Sequence, residues 1–204
     1  MSLRSVTSSA NGRPLIIANG FFPVPLPLSH IAAAYRSCGF SATVIPFDLR
    51  NKCDVLTYAK TIDQLARRLF AETGQAVDIV GLSMGGIAGL YAIKFLGTAA
   101  FVRTLVTIGS PFHGSPVAAW AMMSPLFQLA ARQMSPGSAL LKKLELAPLP
   151  EEVRFVSLGG LFDLVSPVPT TKATDAENHY WCFSHYDLMF MSWLHLQVAR
   201  LILL

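Results

Sequence analysis

The chain has 204 residues, of which 52% are hydrophobic and 14% are charged, and its net charge at pH 7 is +4. This composition is that of a folded globular protein, and the length predicts a single domain over residues 1–204. The positive charge is small, and no cluster of Lys and Arg interleaves with aromatic residues. We therefore expect no nucleic-acid partner.

Cysteine usage and the chain ends bear on metal binding and location. Cys38, Cys53 and Cys182 stand far apart, and no Cys or His spacing typical of a zinc site occurs, so we expect reduced thiols and no metal. Residues 1–13 lack the apolar core of a secretory signal, which predicts a cytoplasmic protein. The apolar segment 188–204 is slightly too short to cross a bilayer. It is expected to pack in the core, the alternative being a helix that lies on a membrane surface.

Apolar runs typical of buried strands alternate with segments at helical spacing. Six strands are predicted, over residues 14–18, 41–47, 76–80, 102–109, 153–159 and 179–183. Helices are predicted within residues 25–38 and over residues 56–72, 86–96 and 188–204. Continuous apolar strands that alternate with helices form parallel sheets covered on both faces. The fold class is therefore predicted to be α/β, with a mostly parallel sheet of about six strands.

Residues 111–152 interrupt this alternation with two apolar helix-like parts, 117–134 and 138–146. A connection of this length is usually functional, so we predict a lid-like helical insertion. Apolar and aromatic side chains, joined by one histidine, form the candidate substrate-binding group: Phe22, His113, Trp120, Met123 and Phe127. The alternative is an insertion that only completes the core, since apolar helices are mostly core.

The sequence Gly81-Leu82-Ser83-Met84-Gly85 lies between a predicted strand and a predicted helix. A serine at such a turn adopts a strained backbone that lifts its hydroxyl clear of the sheet. The residues two before and two after it approach closely, so both must be nearly free of side chain. This Gly-x-Ser-x-Gly pattern, in its strand-turn-helix context, predicts that Ser83 is a nucleophile.

A serine nucleophile needs a base that takes its proton and an acid that orients the base. In chain order the acid and the histidine are expected after the serine, just past the carboxyl ends of later strands. Asp163 follows the fifth predicted strand and His185 follows the sixth, so these are the candidates. Asp175 and Glu177 are alternative acids. His179 is the alternative histidine, although it falls at the start of its predicted strand.

Two backbone N–H groups are expected to stabilise the oxyanion that forms during attack on a carbonyl. One belongs to Met84, the residue after the nucleophile, and the other to Phe21, in the loop after the first strand. Gly20 lets that loop turn toward the site. The alternative is a plain Asn-Gly turn, but the proline-rich residues that follow cannot supply the paired strand of a hairpin.

These motifs resemble those of the α/β-hydrolase superfamily, specifically its small bacterial lipases and esterases. The resemblance runs from about residue 14 to the end, and the stretches that carry it are 17–21, 81–86, 108–116 and the loops of Asp163 and His185. Residues 134–144 resemble a lid region of the same group. The family often has His-Gly where this chain has Asn19-Gly20. The resemblance implies an α/β-hydrolase fold with a minimal sheet, and chemistry that needs no cofactor.

The predicted function is hydrolysis of carboxylic esters of hydrophobic acyl groups through an acyl-enzyme on Ser83. The expected partner is a small-molecule or lipid ester, and the apolar composition permits peripheral contact with a membrane or lipid surface. A thioesterase or acyltransferase with the same three residues is an alternative. A non-catalytic acyl-lipid binding protein on the same fold is another, because one fold hosts many functions.

Overall fold

A computed structural model describes residues 12–21, 28–46 and 48–204, except the side chains of Lys52 and Ala119. Its centre is a six-stranded sheet with strand order β2-β1-β3-β4-β5-β6, in which all neighbours run parallel. The strands are β1 (Arg13–Ala18), β2 (Phe40–Val44), β3 (Val77–Leu82), β4 (Val102–Ile108), β5 (Arg154–Gly160) and β6 (Glu177–Trp181). The predicted α/β class and the parallel six-stranded sheet are confirmed.

Helices cover both faces of this sheet. They are α1 (Ser29–Ser37), α2 (Leu49–Cys53), α3 (Val55–Thr73), α4 (Met84–Phe95), α5 (Ala118–Ala121), α6 (Gln128–Gln133), α7 (Ala139–Leu146), α8 (Val168–Thr171), α9 (His185–Phe190) and α10 (Ser192–Leu203). Helices α3 and α4 pack on one face, and α1 and α10 on the other. In the described part of the chain, no helix is both long and apolar enough to cross a bilayer.

The continuous apolar runs of the strands follow from burial on both faces. In β1, Ile16 and Ala18 belong to the core under α3 and α4, whereas Leu15 and Ile17 belong to the core under α1 and α10. Successive side chains of a strand point to opposite faces, so a sheet covered on both faces favours apolar residues on both sides of each strand. The continuous apolar runs of the strands thus indicate that helices cover both faces of the sheet.

The insertion differs from its predicted form because the helix-like part 117–134 is broken into α5 and α6. Pro125 lies between the two helices. Proline lacks a backbone N–H and disfavours helical geometry at the residue before it, so a continuous helix cannot pass this point. The second predicted part, 138–146, forms α7 as expected.

The two halves of the insertion have different environments. In α7, Leu141 and Leu144 are buried, and the Nζ of Lys94 donates hydrogen bonds to the carbonyls of Leu144 (2.9 Å) and Ala147 (2.6 Å). In and after α5, large apolar side chains are exposed, with Trp120 74% accessible. The core-completing alternative therefore describes α7, whereas the α5 half leaves its apolar surface uncovered.

The C-terminal segment also differs from its predicted form. The single helix expected over residues 188–204 is two helices, α9 and α10, separated where the backbone becomes extended at Met191 (ψ 108°). Helix α9 begins at His185, where Ser184 and Asp187 form a capping box that satisfies N–H groups at its start. Several buried residues of α10, including Leu194 and Val198, pack in the core as expected.

The start of α4 lies directly against β1 and β3, which only glycine permits. A Cβ atom on Gly85 would overlap the carbonyl of Ala18, and one on Gly81 would overlap the backbone of Gly86. These neighbours are backbone atoms, which cannot move without shifting β1 or α4. The two small residues predicted around Ser83 are therefore packing requirements of the turn.

We expect Gly85→Ala to lower the free energy of unfolding by about 2–3 kcal/mol, because the added methyl overpacks a site enclosed by backbone. Gly89→Ala is the matched control in the same helix, since its nearest neighbour would be the flexible end of Leu105 at 3.2 Å. Urea denaturation of both variants measures the difference. Equal stability of the two variants would contradict the packing argument.

Candidate active site

Ser83 lies at the turn from β3 into α4 with a strained backbone. It is the only described non-glycine residue with positive φ (50°), a region that costs about 1–3 kcal/mol. Its N–H donates to the carbonyl of Ile108 at 2.8 Å. Its own carbonyl accepts from the hydroxyl of Ser110 at 2.7 Å and from the N–H of Gly86 at 3.0 Å. These three hydrogen bonds hold the turn in its strained form.

Asp163 and His185 meet through a buried hydrogen bond. The distance from His185 Nδ1 to Asp163 Oδ2 is 2.7 Å, and the residues are 5% and 3% exposed. The other oxygen, Oδ1, accepts the N–H groups of Val165 (2.8 Å) and Ser166 (2.7 Å). Because a carboxylate accepts hydrogen bonds, this geometry makes Nδ1 of His185 the donor and leaves Nε2 on the other side of the ring.

Ser83 and His185 line the same cavity, whose volume is about 310 Å³. Most of its other lining residues are apolar: Phe21, Pro111, Val117, Ala118, Trp120, Ala121, Met134 and Val165, with Ser115 and Tyr186. Gly109, at φ +60°, lets the ring of His185 approach the end of β4, since a Cβ there would lie 3.1 Å from Nδ1. The structure thus brings the three predicted residues to one edge of the sheet.

The two predicted oxyanion donors lie beside Ser83. Met84 is the first residue of α4, and the N–H groups of a first turn have no partner within their helix. Phe21 lines the cavity, and its ring packs edge-on against Phe127 with 5.1 Å between centroids. Between β1 and Phe21, Gly20 lies directly against Ser83, since a Cβ on Gly20 would lie 3.1 Å from the Cβ of Ser83.

The alternative acids and histidine lie outside the residues that line this cavity. Asp175 binds Lys94 at 2.7 Å, and Glu177 pairs with Arg154 at 2.8 Å. His179 was expected at the start of its strand, and this is wrong because β6 begins two residues earlier and places His179 in its middle. Pairing of Glu177 with β5 is what extends the strand.

The predicted substrate-binding group is only partly brought together. Trp120 lines the cavity. Phe127 is not in the lining but packs against Phe21, which is. Met123 is exposed on the same insertion. His113 instead lines a separate space of about 20 Å³ beside Lys94. Phe22 lies outside the described residues.

Sequence reasoning did not find several residues that line the cavity. These are Ser115, Met134, Val165 and Tyr186. Position along the chain could have indicated two of them, since Val165 and Tyr186 are close neighbours of Asp163 and His185. Among the residues described, no group of three or more His, Cys, Asp or Glu side chains is arranged to hold a metal ion.

His195 lies on α10 and is not among the residues that line this cavity. It is fully buried; Tyr35 hydroxyl lies 2.8 Å from its Nδ1, and the Met189 carbonyl lies 3.2 Å from its Nε2. A carbonyl only accepts, so Nε2 donates to Met189 and Nδ1 accepts from Tyr35. Burial lowers the pKa of His195 from 6.5 to about 4.

This shift predicts acid sensitivity of the fold. Below pH 6.5 the unfolded chain protonates His195, whereas the folded protein does so only near pH 4, so stability falls as the pH is lowered through this window. The contribution is about 3 kcal/mol. We expect His195→Gln, whose amide offers both a donor and an acceptor but cannot titrate, to lose that much less stability between pH 7 and 4. Urea denaturation at both pH values tests this against wild type and the exposed-site control His113→Gln; equal acid losses would contradict it.

The parallel sheet, the strained serine turn and the acid–histidine pair at the carboxyl edge define an α/β-hydrolase fold. The structure resembles those of small lipases and esterases, as the sequence motifs predict. It is similar to the mature lipase BlEst2 of Bacillus licheniformis, with a TM-score of 0.77 and 16% identity over 97% of this chain and 94% of that one.

Two further solved structures are similar to the chain. Aspergillus fumigatus lipase B has a TM-score of 0.76 and 13% identity; 93% of this chain is covered, but only 53% of that one. A monoacylglycerol lipase of Paleococcus ferrophilus has a TM-score of 0.60 and 15% identity over 94% of each chain. No protein-family model and no curated protein matches the sequence. At these identities the likeness establishes the fold.

Proposed function

We propose that the protein is a serine hydrolase that cleaves carboxylic esters of hydrophobic acyl groups, as a lipase or carboxylesterase. The observation that carries this proposal is the 2.7 Å hydrogen bond between Asp163 and His185, made where the histidine shares one cavity with Ser83. A hydroxyl, an imidazole and a carboxylate in this chain order and at this edge of the sheet match the roles of nucleophile, base and orienting acid.

In the proposed reaction, the Oγ of Ser83 attacks the ester carbonyl while its proton passes to Nε2 of His185. Asp163 stabilises the resulting imidazolium through Nδ1 and stays ionised. The imidazolium then gives its proton to the leaving alkoxide, which departs as an alcohol and leaves an acyl-enzyme. Water attacks the acyl-enzyme with His185 again as base, and the carboxylic acid and free serine are released.

The negative charge of each tetrahedral intermediate requires donors that are already in place. We assign this role to the N–H groups of Met84 and Phe21. Support comes from Met84 opening α4, where N–H groups and the helix dipole favour negative charge. For Phe21 it comes from the close packing of Gly20 on Ser83, which brings the loop to the nucleophile.

The apolar lining of the cavity favours an acyl chain as the bound group. No charged residue occurs between Pro111 and Ala131. Trp120, which lines the cavity, is 74% exposed, and Met123 on the same insertion is 77% exposed. Such a surface favours lipid esters delivered from a lipid–water interface, and peripheral contact with that interface is part of the proposal. The lipases among the similar structures add support for this substrate class.

We expect Ser83→Ala to abolish cleavage of p-nitrophenyl esters, with kcat falling by about 10⁶-fold, because attack on the carbonyl is lost. A fluorophosphonate probe should label wild type and not the variant. Loss of one buried oxygen barely changes packing, so thermal unfolding serves as the folding control. Folded wild type that neither turns over esters nor takes up the probe would favour a non-catalytic acyl-lipid binder.

A series of p-nitrophenyl esters tests the acyl group. An apolar cavity of about 310 Å³ has room for an acyl chain well beyond acetyl. We therefore expect kcat/KM to rise from acetate to medium-length acyl chains, because each added methylene buries more apolar surface. Rates that peak at acetate and vanish for long chains would exclude the lipase assignment while keeping the esterase one. Faster transfer to an added alcohol or thiol than to water would identify an acyltransferase.

A further inference from the structure

We propose that Tyr58, on α3, is a positioning residue that holds the loop carrying the Phe21 oxyanion donor. This inference rests on the proposed function and concerns a residue outside the cavity lining. It would act through Asn19 and Gly20, without contact with the substrate.

The contact itself is buried. Tyr58 has no exposed surface, and its hydroxyl donates toward two oxygens of Asn19, the backbone carbonyl and Oδ1, each at 3.1 Å. Burial raises the pKa of Tyr58 well above its ordinary value, so the hydroxyl keeps its proton and remains a donor. Asn19 is itself buried, at 7% exposure, and both its oxygens need such a donor.

Because of the position of Asn19, the hydrogen bond from Tyr58 also orients the loop that follows β1. It is the first residue after β1, and the peptide group that joins it to Gly20 is planar. A hydrogen bond to its carbonyl therefore orients the whole peptide group. Only the two backbone dihedrals of Gly20 then separate this oriented peptide from the N–H of Phe21.

Glycine is the residue whose dihedrals are least restricted, so the Gly20 hinge needs restraint from both sides. On one side Tyr58 holds Asn19. On the other, the ring of Phe21 packs against Phe127 of the insertion at 5.1 Å. The nucleophile lies against the hinge itself, because a Cβ on Gly20 would be 3.1 Å from the Cβ of Ser83.

The Asn19-Gly20 pair is also where this chain departs from the His-Gly that the resembling family often has. Asn19 offers a second acceptor, Oδ1, at the same 3.1 Å from the hydroxyl as its carbonyl oxygen. The Tyr58 hydroxyl shares its one proton between the two oxygens. It therefore restrains both the side chain and the backbone of Asn19 against α3.

Tyr58→Phe removes this hydroxyl and keeps the ring. We expect kcat for p-nitrophenyl esters to fall by about tenfold with KM within about twofold, since a misaligned donor weakens binding of the transition state more than that of the substrate. An alkyl boronic acid forms a tetrahedral adduct with Ser83 that resembles the intermediate. Its inhibition constant should rise by a similar factor, while binding of the planar product carboxylate, followed by calorimetry, should not change.

The matched control is Tyr35→Phe. Tyr35 is also fully buried and its hydroxyl bonds a single partner, His195 Nδ1 at 2.8 Å, but it packs on the opposite face of the sheet. This variant should lose comparable thermal stability with unchanged kcat and boronic acid inhibition. Asn19→Ala removes the Oδ1 acceptor and keeps the backbone carbonyl, and the double variant with Tyr58→Phe should lose no more kcat than Tyr58→Phe alone.

The outcomes separate this role from the proposed function. Wild type that neither cleaves esters nor binds the boronic acid overturns the proposed function and the positioning role together. Active wild type whose kcat and boronic acid inhibition are unaffected by Tyr58→Phe overturns the positioning role alone. Equal falls in Tyr35→Phe and Tyr58→Phe also overturn it, because the effect would then follow stability.

Discussion

The strained backbone of Ser83 is the constraint on which the site depends. Its left-handed conformation is unfavourable for a residue with a side chain, and it persists because neighbouring groups leave no alternative. The hydrogen bond to Ile108 and the one from Ser110 tie both sides of the turn to the end of β4. Close packing of Gly85 on Ala18 then fixes where α4 starts, and with it the position of the Met84 N–H.

Parallel pairing of the strands places the Ser83 turn at the same edge of the sheet as the loops of Asp163 and His185. Because β3, β4, β5 and β6 are neighbours and run in the same direction, their carboxyl ends lie side by side. Asp163 and His185 follow β5 and β6 and meet across 22 residues of sequence. Two backbone N–H groups hold the other oxygen of Asp163, so its carboxylate presents one oxygen to the imidazole. The geometry of the pair is thus set by backbone as much as by side chains.

The strands and the candidate site residues could be predicted from the sequence because both depend on local patterns along the chain. Apolar runs located the strands, and the order of serine, acid and histidine located the residues that the sheet brings together. The buried face of α3 is less visible in the sequence, since Tyr58 carries a polar hydroxyl and is fully buried, while the apolar Leu65 is only partly buried. A tyrosine can be buried when its hydroxyl has a partner, and Asn19, 39 positions away, is visible only in three dimensions.

Within the insertion, residues of α5 line the cavity, whereas α7 packs in the core. Ser115 donates to the carbonyl of Val165 at 2.6 Å, and Lys94 holds the end of α7, so both ends of the segment are tied to the fold. Between them α5 presents Trp120 to solvent beside the cavity. Each 100 Å² of such surface covered by an apolar ligand is worth about 2–3 kcal/mol. An apolar ligand that covers this surface would therefore give α5 the apolar packing that α7 already has.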